Sequence, residues 1–336
     1  MKIFPWHKAV FERILAGKNH LPHALLLQGR QGIGKAAFGR ALASALLCED
    51  PQPGGAACGQ CAACRWMESG AHPDFRQFEP QNLSETIEEE QGGDRKASHQ
   101  ITIDPIRLLP DFLGMSSHRG GAKVILVHPA EALNVSAANA LLKSLEEPPP
   151  RTHFLLVSHR PRLLPATVRS RCQQIALPGP APEAAIEWLK AQDAAHPELA
   201  LAQSGNAPLA ALQLDHAEYW RLRDTFLKGI AAAEFDPLAL AEQVYDYPVP
   251  QVVGWLQKWS YDLIAQKFLG TIRYNPDYQA ALAAAAARMD GLAALRFHRE
   301  MVRLQRIVNH PLNARLFVEQ LLFSYADLLQ PQRAAA

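Results

Sequence analysis

The chain has 336 residues, of which 48% are hydrophobic and 20% are charged, a composition typical of folded globular domains. Its formal net charge of +1 argues against an autonomous protein with a strongly basic DNA-binding surface. No segment approaches the roughly 18 uninterrupted apolar residues expected of a membrane span, and the amino-terminal residues lack the apolar core of a signal peptide. We therefore expect a cytoplasmic protein without membrane contact, long enough for two or three domains.

The first half of the sequence alternates short apolar runs with helical patterns. Strands bounded by polar or turn residues alternating with amphipathic helices indicate a parallel α/β sheet with helices on both faces. The predicted strands are residues 23–29, 123–127 and 153–158, and the predicted helices are residues 35–47 and 134–147.

The strand signals end near residue 178, and the remaining sequence is helical in pattern. We predict an α/β domain over residues 1–178, a small helical domain over 179–214 and an all-helical domain over 215–336. Residues 79–100 are polar, charged and contain glycine, which predicts a mobile surface insertion in the first domain.

The first predicted strand leads into a phosphate-loop pattern. Gly29 to Lys35 fits G-x-x-x-x-G-K, and a glycine loop that enters a helix can cradle phosphate oxygens with unpaired backbone N–H groups. Gly29, Gly32, Gly34 and Lys35 are therefore candidate nucleotide-binding residues. The alternative is a tight strand-to-helix turn that never contacts a nucleotide.

Two elements of a hydrolytic centre are missing around this loop. Ala36 follows Lys35 where a Ser or Thr hydroxyl would help to hold Mg²⁺, and the strand over residues 123–127 runs into His128 and Pro129 where carboxylates are expected. His128 is best interpreted as a structural residue at the strand end. The pattern predicts that the chain does not hydrolyse ATP, and it leaves nucleotide binding doubtful.

Four of the five cysteines are crowded into one short stretch. Cys48, Cys58, Cys61 and Cys64 contain two overlapping C-x-x-C units and supply the four thiolates of a closed, structural Zn²⁺ site. Free cysteines, a redox pair and an iron–sulfur cluster are the alternatives. Cys172 is distant in sequence, and we expect it to be a buried thiol.

Several motifs together make the chain resemble the bacterial AAA+ clamp-loader family. The resemblance implies a RecA-like AAA+ domain with an inserted zinc module at residues 48–64, a helical lid and an all-α collar domain. Active family members carry a sensor arginine in a Gly-x-x-Arg segment, whereas this chain has Gly205 to Pro208 there. The similar motifs are the strand and phosphate loop at 23–35, the cysteine segment at 48–64, ANALLKSLEEPP at 138–149 and VRSRCQQ at 168–174.

The same resemblance assigns a role to Arg171. In this family a Ser-Arg-Cys triplet marks an arginine finger, so Arg171 would reach, in trans, the ATP bound to a neighbouring gamma/tau subunit. Residue chemistry alone favours a surface salt bridge or a DNA phosphate contact, and only the Ser-Arg-Cys context favours the finger.

The resemblance also implies the partners of the chain. It would complete a pentameric ring with three gamma/tau subunits and one delta subunit, and this ring would place the β sliding clamp on primer-template DNA. The rival hypotheses are an active gamma/tau-like AAA+ ATPase and a zinc-dependent DNA-binding module.

Overall fold

The computed structural model describes residues 3–83, 98–118, 121–305, 308 and 313–329. The chain separates into two compact units, Met1–Pro180 and Ala181–Ala336. The division of the second unit at residue 214 stays a prediction. The predicted mobile insertion at 79–100 falls largely outside the described residues.

The first unit is built on a five-stranded parallel sheet with the order β2-β3-β4-β1-β5. The three strands predicted from sequence occupy its centre, and the two edge strands were not predicted. The strands are β1 (Ala24–Gln28), β2 (Phe75–Phe78), β3 (Lys123–Val127), β4 (Thr152–Ser158) and β5 (Gln173–Ala176).

Helices cover both faces of this sheet, as the sequence predicts. Alternate residues of β3 enter two different cores: Leu126 packs in the core that contains Leu42, and Ile125 packs in the core that contains Leu141. The helices are α1 (Lys8–Ala16), α2 (Lys35–Leu47), α3 (Ala62–Glu68), α4 (Ile103–Arg107), α5 (Leu109–Gly114), α6 (Val135–Glu146) and α7 (Ala166–Arg169).

Helix α2 lies unusually close to the sheet. A Cβ atom added at Gly39 would come within 2.9 Å of Leu126 Cδ1 and 3.3 Å of Val157 Cγ2, so a larger residue would require these core side chains to shift. Helix α2 follows β1 after the phosphate loop and begins at the carboxyl-terminal edge of the sheet, where ligands bind in open α/β folds.

Within its described residues, the second unit is entirely helical. Its large core contains Trp255 and Trp259, whose indole N–H groups donate to Tyr219 Oη (3.1 Å) and Tyr325 Oη (2.8 Å). The helices are α8 (Pro182–Lys190), α9 (Pro197–Gln203), α10 (Pro208–Leu214), α11 (Ala217–Ala231), α12 (Pro237–Val244), α13 (Val249–Leu269), α14 (Gln279–Arg288), α15 (Gly291–Leu304) and α16 (Ala314–Leu329).

The structure describes the conformation of the alanine-rich run and bears on the question of a membrane span. The alanine-rich run at residues 280–287 forms part of α14, in which Leu282, Ala285 and Ala286 are buried, so it is a packed helix. Among the residues that the structure describes, no helix combines the length and apolar character needed to cross a membrane.

Candidate functional site

The four predicted metal ligands converge at the carboxyl-terminal end of α2. Cys48 directly follows this helix, Cys61 is the N-cap of α3, and Cys64 lies in the first turn of α3. The sulfur atoms of Cys48 and Cys61 are 3.9 Å apart, those of Cys58 and Cys64 are 3.9 Å apart, and those of Cys48 and Cys64 are 3.7 Å apart. A tetrahedron with Zn–S bonds of about 2.3 Å has edges of about 3.8 Å. The cluster can therefore hold a metal ion, and its dimensions fit zinc.

Backbone groups complete the environment of these sulfur atoms. The amide of Cys58 donates to Cys48 Sγ at 3.3 Å, the amide of Cys61 donates to Cys58 Sγ at 3.3 Å, and the amide of Cys64 donates to Cys61 Sγ at 3.4 Å. Such donors favour thiolates over thiols and orient them toward a common centre. The glycines between Cys48 and Cys61 permit the tight path of the chain, because Gly54, Gly55 and Gly59 all have positive φ.

The phosphate loop keeps the backbone geometry that its sequence predicts. Gly32 and Gly34 have φ values of 77° and 93°, which disfavour any residue with a Cβ atom. A Cβ atom at Gly29 would lie 2.7 Å from the carbonyl oxygen of Leu177. The loop joins β1 to α2, so its backbone stands where a nucleotide phosphate binds in related architectures.

The lysine of the loop is directed into the protein. Lys35 is only 2% exposed, and its ammonium group donates to the carbonyl oxygen of Arg30 in the same loop. Burial lowers the pKa of Lys35 from 10.5 to about 8, and the nearby Glu131 carboxylate opposes this shift. Lys35 therefore binds and stabilises its own loop in this structure.

The amino-terminal residues pack against the same loop, a feature that the sequence analysis did not predict. The indole N–H of Trp6 donates to the carbonyl oxygen of Ile33 at 2.9 Å. His7 is fully buried, and its ring lies edge-on to Phe38 with 5.5 Å between centroids. Burial lowers the pKa of His7 from 6.5 to about 4, so this imidazole is neutral at physiological pH.

At the end of β3, His128, which stands where a carboxylate is expected, pairs with His159, which follows β4. The rings of His128 and His159 meet edge-on at 5.4 Å, and burial lowers the pKa of each to about 4. A carboxylate does lie three residues beyond His128, but Glu131 Oε1 accepts from the amides of His159 (2.9 Å) and Arg160 (3.0 Å). No sequence motif indicates this role of Glu131, whose acceptor atom holds the backbone after β4.

Arg171 lies at the opposite edge of the sheet. Leu25 of β1 pairs with Gln173 of the parallel strand β5, so Arg171 is at the amino-terminal edge whereas Gly29 is at the carboxyl-terminal edge. The side chain of Arg171 is 34% exposed and forms an ion pair with Glu146. The predicted site residues are thus divided among three separate places in the first unit.

The remaining sequence predictions concern Cys172 and the segment that lacks a sensor arginine. Cys172 is buried, its thiol donates to the carbonyl oxygen of Val168, and burial raises its pKa to about 11. This confirms the predicted buried thiol. In the second unit, Gly205 and Asn206 have positive φ and Pro208 begins α10, so this segment forms a helix start.

Comparison with known proteins gives consistent results. The family described as "DNA polymerase III, delta subunit" matches residues 7–181. DNA polymerase III subunit delta' of Pseudomonas aeruginosa is 38% identical over 280 residues, covering 81% of this chain and 78% of the relative. The corresponding subunit of Escherichia coli K12 is 32% identical over 347 residues, covering 98% of this chain and 97% of the relative.

A solved structure of a DNA polymerase III gamma subunit-related protein from Thermotoga maritima aligns with a TM-score of 0.44 at 17% identity, covering 96% of this chain and 99% of that chain. The sequence matches define the class of the chain: it is a DNA polymerase III subunit and a protein of DNA replication. Within that class, it belongs to the delta' (delta-prime) subunit family.

Proposed function

We propose that this chain is the stator of a DNA polymerase III clamp loader: an AAA+ subunit that does not hydrolyse ATP and that supplies Arg171 to a neighbouring ATP site. It acts in the cytoplasm as part of a DNA-directed DNA polymerase. The full assembly has three gamma/tau subunits, one delta subunit and this chain, and it places the β sliding clamp on primer-template DNA.

The observation that carries the proposal is the state of the degenerate phosphate loop. Hydrolysis requires Mg²⁺ bridging the phosphates and a group that positions the attacking water. Ala36 offers no hydroxyl, Lys35 donates to its own loop, and His128 occupies the strand end. Glu131 Oε1 accepts from two backbone amides. These features support loss of hydrolysis at this site.

The role of Arg171 follows from its placement and its chemistry. A guanidinium group is permanently charged and presents a rigid fork suited to phosphate oxygens. Arg171 lies at the sheet edge opposite the degenerate loop and is 34% exposed. It can therefore serve a nucleotide bound to another subunit, where an arginine finger stabilises charge on the γ-phosphoryl group.

The cysteine cluster has a structural role in this proposal. Cys48, Cys58, Cys61 and Cys64 would hold one Zn²⁺ with four thiolates, which leaves no open position for a substrate. The ion would connect the end of α2 to α3 and stabilise the module between them. The helical lid and collar, the latter providing the main ring contacts, belong to the second unit.

Reconstitution of the clamp-loader complex tests the proposal. We expect Arg171→Ala to slow ATP turnover at the neighbouring site about 10³-fold and to reduce clamp loading, while Arg162→Ala, an exposed arginine of the same unit, leaves both unchanged. Unaltered clamp- and DNA-stimulated turnover in the Arg171 variant would contradict the finger assignment. ATP turnover by the isolated chain that Lys35→Ala abolishes would instead favour an active gamma/tau-like ATPase.

A further inference from the structure

The guanidinium group of Arg171 is held by two acceptors from separate helices. Its Nη2 atom lies 2.5 Å from Glu146 Oε1, and its Nη1 atom donates to the carbonyl oxygen of Thr167 at 2.8 Å. Because the two acceptors bind different terminal nitrogens, they fix the plane of the guanidinium group as well as its position. Three of the five N–H bonds of an arginine are left after these two contacts.

Both acceptors stand on elements that the core holds in place. Glu146 is the last residue of α6 and follows Leu145, which is fully buried. Thr167 lies in α7 beside Val168, which is also fully buried. The negative end of the α6 dipole adds to the attraction of the carboxylate for a cation. The contacts to Arg171 therefore come from a rigid base.

We propose that Glu146 is a positioning residue for Arg171. The inference rests on the proposed role of Arg171 as an arginine finger. A long, flexible side chain loses rotamer freedom when it binds a phosphate. Glu146 removes part of that freedom beforehand, so that the unused N–H bonds of Arg171 meet the partner's phosphate oxygens in a fixed orientation.

The alternative is a surface ion pair that contributes nothing beyond its small effect on stability. The neighbouring Glu147 distinguishes the two interpretations. Glu147 is also exposed and carries the same charge, and within the described part of the chain it has no ion pair. A general effect of negative charge at this edge would be shared by Glu147, whereas a positioning effect belongs to Glu146 alone.

The first experiment measures ATP turnover in the reconstituted complex with Glu146→Ala, Glu146→Gln and the control Glu147→Gln. We expect Glu146→Ala to lower kcat about 10-fold with KM for ATP changed less than 2-fold, because the finger acts on the transition state. Glu146→Gln should lie between Glu146→Ala and the unaltered chain, since it keeps an acceptor but loses the charge. Unchanged kcat in Glu146→Ala, or an equal loss in Glu147→Gln, would overturn the proposal.

The second experiment combines Glu146→Ala with Arg171→Ala. If Glu146 acts only through Arg171, the double variant will have the same kcat as Arg171→Ala alone. A further loss of about 10-fold in the double variant would show that Glu146 acts by another route, and the proposal would fail. Thermal unfolding and complex assembly are measured for every variant, and the near-isosteric Glu146→Gln provides the decisive comparison if Glu146→Ala does not assemble.

The two proposals can fail separately. If Arg171→Ala retains full turnover, the arginine finger itself is wrong, and the role of Glu146 falls with it. If Arg171→Ala loses turnover and Glu146→Ala does not, the finger stands and only the positioning role is wrong. Glu146 variants with the expected loss, together with a non-additive double variant, support both proposals.

Discussion

The two sites that short motifs predict lie at the two ends of helix α2. They differ in whether their donor atoms face a common centre or bind the protein itself. The helix begins at Lys35 in the phosphate loop and ends at Leu47, directly before Cys48. Its 13 residues separate the two sites by about 20 Å. At the second end, four sulfur atoms face a common centre. At the first end, Lys35 and the Trp6 indole both donate to carbonyl oxygens of the loop itself.

The difference shows that a chain can keep a sequence motif without keeping the ligand site that the motif usually forms. The positive φ angles of Gly32 and Gly34 are required to turn from β1 into α2, so the loop has a structural reason to persist without a nucleotide. No comparable structural need brings four cysteines together, because an unligated cluster of thiols contributes little to packing. The geometry at the cysteine end is therefore the stronger indication of a ligand.

The largest effect is expected from breaking the cysteine end. Cys64→Ser removes one thiolate from a site that needs four, so we expect zinc content to fall from about one equivalent to less than half an equivalent. The free energy of unfolding should decrease by on the order of 5 kcal/mol, because metal binding and folding are coupled. Metal analysis and denaturant unfolding provide the measurements.

The remaining buried cysteine supplies a matched control for this substitution. Cys172→Ala removes a buried thiol that donates to the carbonyl oxygen of Val168, and we expect a cost of about 1 kcal/mol with full zinc retention. A metal-free but equally stable Cys64→Ser protein would refute the structural role. Purified unaltered chain with less than about half an equivalent of zinc, without chelator exposure, would refute the metal site.

A smaller effect is expected from acid at the phosphate-loop end. The folded protein lowers the pKa of His7 from 6.5 to about 4, so the unfolded chain binds more protons between these two pH values. Stability therefore falls as pH decreases from 6.5 to 4, by up to about 3 kcal/mol for His7. His128 and His159, whose pKa values are also lowered to about 4, act in the same direction.

Acid also protonates metal-bound thiolates, so the measurement must separate the two ends of α2. Unfolding of the unaltered chain and of His7→Gln is compared at pH 7.0, 5.5 and 4.5, because metal release affects both proteins equally. We expect the difference in stability between them to shift in favour of His7→Gln as the pH falls. A difference that is constant across this range would show that His7 titrates normally in the folded protein.

The sequence predicted the elements whose own residues determine them. Central strands such as β3 are continuous apolar runs, and the bounds of α2 agree with the predicted residues 35–47. The edge strands β2 and β5 were missed because their sequences, Phe-Arg-Gln-Phe and Gln-Gln-Ile-Ala, are partly polar, with side chains that are mostly half-buried in β2 and mostly exposed in β5. Such strands form because a neighbouring strand offers its hydrogen bonds, which a local pattern does not reveal.

The sites follow the same division. The cysteine cluster was predictable because close spacing within 17 residues determines which side chains can meet. The contacts of Trp6 with Ile33, and of Glu131 with the amide of His159, join residues that are 27 and 28 positions apart. They depend on the completed sheet, and the same holds for the pairing of Glu146 with Arg171. Sequence motifs predicted the candidate site residues, whereas the groups that contact these residues could be identified only from the folded structure.

The smallest effect is expected from Lys35→Met at the loop. In the folded chain the pKa of Lys35 is about 8, below its ordinary value of 10.5. The stability of the unaltered chain should therefore rise as the pH increases from 8 to 10.5, and the variant should not show this rise. Near pH 7 we expect a gain of about 1 kcal/mol, because the variant avoids burying an ammonium but also loses the bond to Arg30. Denaturant unfolding at pH 7, 8 and 10 measures both effects, and Lys8→Met, which alters an exposed lysine, is the control. Clamp loading by the reconstituted complex should remain within 2-fold of normal, because the proposed function requires no ATP turnover at this loop. A complex that Lys35→Met inactivates despite normal stability would show that the loop has a role in clamp loading beyond its own folding.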